Sequence, residues 1–340
     1  MNYKYFLIIF FILLIIIFIN TYYFNNKICL TTFNNNYDGY YLKNKNEVID
    51  NIDLNEITPR DFFEKYVIKR KPVIFNTTIK GKFNKWNNNY LKKIIGNEIV
   101  YAEIKNGIYS RGDIENMRFN DFINYIENGN NKYYLNVQPN KKNEKYLISP
   151  LLKKLYKLNE LPIIPPILGN IIPVQINIWM GANNTKSKLH HDYHDNLYIV
   201  IKGKKIIKLY SPNDAYNLHT KGCISKINKN GLIEYNNLIG EHNHFSKIDI
   251  DNKKSEVYKR YNKFINAKET ICEINEGEMI FIPCGWFHQV TSLNNALTNE
   301  NHIAISYWCH SPDLLNKESF DYPYNNKYLN YYFNNQLKNI

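Results

Sequence analysis

The chain has 340 residues, room for one large or two ordinary domains with a sizeable buried core. Apolar residues make up 44% and charged residues 22%, which excludes wholesale disorder, and no Gly-X-Y or heptad period marks a fibrous protein. The formal net charge is +12, yet the lysines are scattered in pairs such as Lys141-Lys142 and Lys253-Lys254, so the charge reads as a solvated Lys-rich surface more readily than as a nucleic-acid track.

In chain order, the first feature is the unbroken apolar run Phe6 to Ile19, preceded by Lys4. With Tyr5 ahead and Tyr22-Tyr23-Phe24 behind, it approaches the roughly 20 residues that a spanning helix needs, with aromatic residues at both interfaces. Residues 1–24 are therefore expected to be an uncleaved signal-anchor, with a cleaved signal peptide as the alternative. Either would place the body in the secretory pathway, such as the endoplasmic reticulum lumen, where the sequons at Asn76 and Asn183 could be glycosylated. A secreted or cytosolic protein is the alternative location. Residues 25–57 are polar and Asn-rich and read as a stem.

Thr58-Pro59-Arg60-Asp61 is a helix start, with Thr as cap, Pro at the first position and an acid in the first turn. The helix runs to Val67. A short strand follows at Pro72 to Phe75. Two more helices are predicted near 86–95 and 119–128, closed by Gly96 and Gly129. Tyr133 to Val137 reads as a strand, and Ser149-Pro150 opens a helix to about Lys157. Residues 58–171 thus form a helical and strand lead-in.

From 172 to 312 the pattern changes. Val174 to Trp179 alternates apolar and polar residues, the period of a half-buried strand. Leu197 to Ile201 and Ile206 to Tyr210 read as one hairpin around Gly203, and Ile271 to Ile274 with Met279 to Ile282 as a second around Gly277. Further strands fall near 287–292 and 302–308. Residues 219–243 look like a loop insertion and 313–340 like a tail. Many short strands after a group of helices give an α+β class with a jelly-roll core. Five widely spaced cysteines without a CxxC pair argue against both a structural zinc site and a disulfide framework.

Chemistry concentrates in Ser187 to Asn196. In an extended segment, His190 and Asp192 share one face and His191 takes the other. His191 and His194 read as surface or internally satisfied histidines. His288 follows a strand and a turn at Pro283 to Gly285, and it can supply a third ligand. Two imidazoles and a carboxylate with open positions is the arrangement of non-haem Fe(II) that activates O2. His-x-Asp by itself is a weak signal.

The surrounding motifs make it specific. Leu189-His190-His191-Asp192, Asp195-Asn196-Leu197-Tyr198, Lys202 to Pro212, Ser246 to Asp249, Gly277 to Val290 and Ile303 to Trp308, with Lys71 to Phe75 upstream, resemble the JmjC family in the right order over roughly 58–310. This family lies within the cupin-like Fe(II)/2-oxoglutarate oxygenases. The resemblance implies a double-stranded β-helix and implies that His190, Asp192 and His288 bind Fe(II). It implies that Lys205 pairs with the distal carboxylate of 2-oxoglutarate, assisted by Ser187 and Tyr134, while Asn196 sits near the metal-bound end. Trp286 and Trp308 are expected to frame the pocket. One departure is Ser306, where several relatives carry Asn.

With no reader domain and no Cys-rich module, the chain looks most like the small JmjC-only hydroxylases. The expected function is O2-dependent hydroxylation of a protein side chain. The alternatives are an N-methyl demethylase or RNA-modifying hydroxylase, a cupin using another divalent metal, and a membrane-anchored binding module without activity.

Overall fold

The structure is a computed structural model and describes residues 13–15, 33–77, 83–104, 113–138, 147–236, 242–295 and 300–336. Strands fall at β1 (Asn34–Asn35), β2 (Asp50–Ile52), β3 (Val73–Phe75), β4 (Ile99–Ile104), β5 (Ile114–Arg118) and β6 (Tyr133–Leu135). They continue with β7 (Pro173–Gly181), β8 (Thr185–Lys186), β9 (His190–His191), β10 (Asp195–Lys202), β11 (Lys204–Tyr210), β12 (Ile224–Ile227) and β13 (Ile233–Tyr235). The last four are β14 (Thr270–Asn275), β15 (Met279–Ile282), β16 (Phe287–Leu293) and β17 (His302–Cys309).

Two sheets carry the architecture. The large sheet has the order β2-β3-β15-β10-β17-β7-β6-β4-β5. The smaller one has the order β14-β11-β16-β8, with β9 also paired to β16. From β7 to β17 the chain passes repeatedly between them: β7, β10, β15 and β17 lie in the large sheet, and β8, β9, β11, β14 and β16 in the small one. That alternation is a double-stranded β-helix, or jelly roll. It also corrects both expected hairpins. β10 and β11 do not pair with each other, nor do β14 and β15; each pair is joined by an arch that carries the chain from one sheet to the other. Gly203 and Gly277 take positive φ (77° and 86°) in those arches, so the turn signal was real and only the destination differed.

Burial follows from this layering. The outer face of the large sheet packs Phe75, Leu197, Ile199, Phe281, Ile305 and Tyr307 in one cluster with Phe62 of the lead-in helix. Its inner face sets Val200, Ile280 and Ile282 against Ile207 and Leu209 of the small sheet. Covered on both faces, β10 and β15 read as continuous apolar runs; β14 at the small sheet's edge alternates buried and exposed residues.

The lead-in helices form where their end signals lie. Thr58 and Asp61 make a reciprocal capping box on Pro59–Phe62, and the chain continues as a wider turn over Phe63–Val67. Asn88–Ile95, Phe119–Glu127 and Pro150–Lys157 follow, each burying one apolar stripe. Asn326–Tyr331 adds a short helix in the tail.

Four expectations change. Among the described residues no helix is long and apolar enough to cross a membrane. That overturns the signal-anchor expectation and the secretory placement resting on it; of residues 1–24 only Leu13 to Ile15 fall among those described. The described part of the supposed stem is packed. Tyr37, Leu42 and Ile49 are buried, β2 runs parallel to β3, and β1 parallel to β12. The supposed loop at 219–243 contains the antiparallel pair β12 and β13. Cys223 is disulfide-bonded, while Cys272, Cys284 and Cys309 are buried free thiols.

Candidate metal centre and cosubstrate pocket

Pairing of β9 with β16 builds the site. His190 stands opposite His288, and His191 opposite Phe287. Alternation then turns His190 and Asp192 into a cavity of about 510 Å³, while His191 is buried on the other side with Nε2 2.6 Å from the Tyr235 hydroxyl. A second tie fixes the backbone at Asp192: the Gly285 N–H, in the turn before His288, donates to the Asp192 carbonyl at 3.1 Å. Gly285 has φ +79° and sits against Gly231 of the β12–β13 turn, where a Cβ would lie 1.9 Å from the Gly231 carbonyl oxygen. Only glycine serves there.

The three ligand groups converge, all donor atoms lying within 4.8 Å of one another. His190 Nε2 is 4.0 Å and His288 Nε2 3.8 Å from the Asp192 carboxylate oxygens. Both rings are oriented from behind. The Nδ1–H of His190 donates to the Lys188 carbonyl at 2.7 Å, and that of His288 to the Trp286 carbonyl at 3.0 Å. This fixes the tautomer that leaves both Nε2 lone pairs facing the carboxylate. Burial, helped by the neighbouring His288, pushes His190 down to about 4, so the ring is neutral and ligand-competent at neutral pH. Phe245 stacks on His190 at 5.1 Å between centroids. The donor set suits a divalent ion: two imidazoles and a carboxylate on one side, with the cavity on the other.

Lys205 lies deeper, on β11. Fully buried, it donates from Nζ to Ser292 Oγ at 2.6 Å and sits 3.0 Å from His302 Nδ1. Among the described residues it forms no ion pair, and burial pushes its ammonium well below the usual lysine range. Lys205 does not itself line the cavity; Ser292 and Tyr198, whose ring is 5.8 Å from Nζ, stand between. Tyr134 is buried on the cavity wall, and its hydroxyl interacts with Ser292. Ser187 also lines the cavity, its Oγ accepting the Val290 N–H at 2.9 Å. A lysine buried beside a hydroxyl and an imidazole is a costly arrangement, and an anion within reach of Nζ would offset that cost.

Asn196 lines the cavity on β10, and its Oδ1 has no protein hydrogen-bond partner. Trp308 lines it as well, stacked on His194 at 5.9 Å. Trp286 does not. It is buried in the core, and its indole N–H donates to the Arg70 carbonyl at 3.1 Å. The expected pocket tryptophan on the other wall is instead Trp179.

Several lining residues escaped the sequence reading. His242, His244 and Phe245 come from and just after the segment read as an insertion, although two histidines in three residues were a visible signal. Glu103 and Asn136, joined by an Asn136 Nδ2 to Glu103 Oε2 hydrogen bond of 2.9 Å, reach the cavity because β4 and β6 extend the large sheet beyond the jelly roll. No sequence pattern announced that extension.

Comparison with known proteins agrees with this geometry. The family profile described as "Cupin-like domain" matches residues 59–313. JmjC domain-containing protein 4 of Schizosaccharomyces pombe is 26% identical, covering 85% of this chain and 89% of that protein. Lysine-specific demethylase JMJ31 of Arabidopsis thaliana is 25% identical, over 77% of this chain and 50% of that protein. The human Bifunctional peptidase and (3S)-lysyl hydroxylase JMJD7 is 24% identical, over 74% and 81%. Three independent lines, the jelly roll, the His-Asp-His convergence and this match over most of the length, coincide, and the chain belongs to the cupin-like domain family, in its JmjC branch.

Proposed function

We propose that this JmjC protein is an Fe(II)- and 2-oxoglutarate-dependent hydroxylase acting on a protein side chain. The observation that carries the reading is the convergence of His190, Asp192 and His288 on one cavity, backed by a buried lysine that no carboxylate pairs with among the described residues. In this reading the triad holds Fe(II). Lys205, with Tyr134, Ser187 and Ser292, holds the distal carboxylate of 2-oxoglutarate, and Asn196 orients the end nearer the metal. When bound, the iron and 2-oxoglutarate supply the O2 chemistry that oxidises a C–H bond, with succinate and CO2 as coproducts.

The chain's own residues do the rest. The Lys188 and Trp286 carbonyls keep the imidazoles in one tautomer and orientation. Asp192 offsets part of the metal's charge. Trp179, Trp308, Ile282 and Phe245 make the walls largely apolar, which limits water at the reacting carbon.

A protein substrate is supported by two relatives whose names specify lysine-directed activity, one a hydroxylase and one a demethylase. The experiment that decides is turnover of the full chain with Fe(II), 2-oxoglutarate, O2 and peptides bearing Lys, N-methyl-Lys, Arg or Asn. A hydroxylase adds one oxygen to a peptide in step with succinate. Release of formaldehyde from the methylated peptide alone would replace this reading with demethylation. Turnover without 2-oxoglutarate would remove both.

A further inference from the structure

Residues two apart on a strand share a face, as do directly paired residues on neighbouring strands. Trp179 lines the cavity, so Asn177 points to the same side of β7. Its partner on β17 is Ser306, whose own partner on β10 is the cavity residue Tyr198. Asn177 is fully buried, and neither its Oδ1 nor its Nδ2 has a protein hydrogen-bond partner. Two neighbours share this trait. Asn196 Oδ1 and Trp308 Nε1, on register partners of β10 and β17, are buried, unpartnered and on the cavity wall. Ser306 Oγ already accepts the Trp179 indole N–H at 2.8 Å, which leaves the Ser306 O–H to donate.

An unpartnered buried amide makes a fold less stable than a side chain of the same shape without polar atoms. A residue kept at such a cost, on the cavity face and beside other unpartnered groups, points to a ligand. We propose that Asn177 is a positioning residue of the 2-oxo-acid subsite. It holds one enclosed water against the Ser306 hydroxyl, and that water, with Asn196 and Trp308 Nε1, forms the polar floor that orients the metal-side end of the cosubstrate. The inference rests on the oxygenase reading above and deepens it. The chemistry closes: a buried water takes two to four polar partners, and Asn177 offers a donor and an acceptor while Ser306 offers a hydroxyl hydrogen. The water then has a hydrogen to give to a carboxylate oxygen, as the Trp308 indole does.

The test uses the full chain with Mn(II) in place of Fe(II), so that binding is read without turnover. Asn177→Leu keeps the branching at Cγ, in a bulkier side chain, and removes the amide. Its 2-oxoglutarate affinity, by calorimetry, is expected to fall about tenfold, with Mn(II) affinity unchanged and the metal-free unfolding temperature equal or higher. Adding Ser306→Asn returns a carboxamide directly across the strand pair and is expected to restore most of the loss. Should Leu prove too wide to fold, Asn177→Ala with the same Ser306→Asn rescue carries the comparison. Unchanged affinity in these variants, or a loss that Ser306→Asn leaves unrepaired, overturns the proposal. A wild type that binds Mn(II) but no 2-oxoglutarate overturns the oxygenase reading instead, and this inference with it.

Discussion

Complete burial works against the charge on Lys205 and lowers its proton affinity. Between that lowered value and the ordinary lysine range, the folded chain binds fewer protons than the unfolded one. The contribution of this residue to stability therefore rises with pH across that window. A carboxylate beside Nζ reverses the balance by favouring the ammonium. Binding of 2-oxoglutarate is expected to take up protons, and its affinity to fall as pH rises through the metal-loaded apo value. Calorimetry in two buffers of different ionisation enthalpy measures the uptake; affinity that ignores pH, with no uptake, would place the cosubstrate away from Lys205. His190 obeys the same sign. Burial and His288 hold it at about 4, below its ordinary 6.5, so the stability it contributes is present above pH 6.5 and lost as pH falls toward 4. Metal binding, which needs the neutral ring, deepens that acid sensitivity.

At the scale of elements, one buried ion pair ties the start of β10 to the turn that precedes His288. The Arg70 guanidinium, after the first lead-in helix, donates to Asp195, with Nη1 to Oδ2 at 3.0 Å, and both side chains are fully buried. Asp195 also accepts the Cys284 N–H at 2.8 Å and the Ser311 hydroxyl at 2.9 Å. The lead-in, the start of β10 and the turn before His288 therefore meet at one carboxylate. Arg70→Met alone is expected to cost about 3–5 kcal/mol by stranding a buried charge, whereas Arg70→Met with Asp195→Leu should cost less than the two single changes summed. Urea unfolding of the set checks this, and simple additivity would contradict it. Asp195 falls in one of the matching motifs, but its pairing with Arg70 was not legible in the sequence, because the two are 125 positions apart and Arg70 looks like an ordinary surface charge. What was legible was local: the Thr58 cap, the glycine stops, and the alternation that puts His190 and Asp192 on one face. The hairpin readings failed for a related reason. A Gly turn between two apolar runs has the same appearance whether the second run returns to the same sheet or crosses to the other. The destination is decided by packing, with β10 choosing β15 and β17 as partners.

For the whole molecule, the described N-terminal segment belongs to the fold and does not behave as a tether. Leu42 is fully buried against the inner core, Thr270 donates to the Glu47 carbonyl at 2.6 Å, and β2 extends the large sheet. A chain starting at residue 58 is expected to express as insoluble protein or to unfold well below the full chain in a thermal scan; an equal unfolding temperature would restore the stem reading. The net charge of +12 lies elsewhere than the cavity, whose described lining contains no lysine or arginine. The Asn-rich composition hid this packing, since Tyr37, Tyr40-Tyr41-Leu42 and Val48-Ile49 are short apolar groups separated by polar residues and make no periodic pattern. Under the proposed function, one cavity holds Fe(II) and 2-oxoglutarate together. The most direct test adds both, without O2, to the metal-free full chain and follows the visible metal-to-ligand charge-transfer absorption. Joint binding in that cavity gives a band in the wild type that is lost in His190→Ala and weakened in Lys205→Ala. A folded, Fe(II)-loaded protein without any band would contradict it and leave another-metal cupin or a binding module in its place.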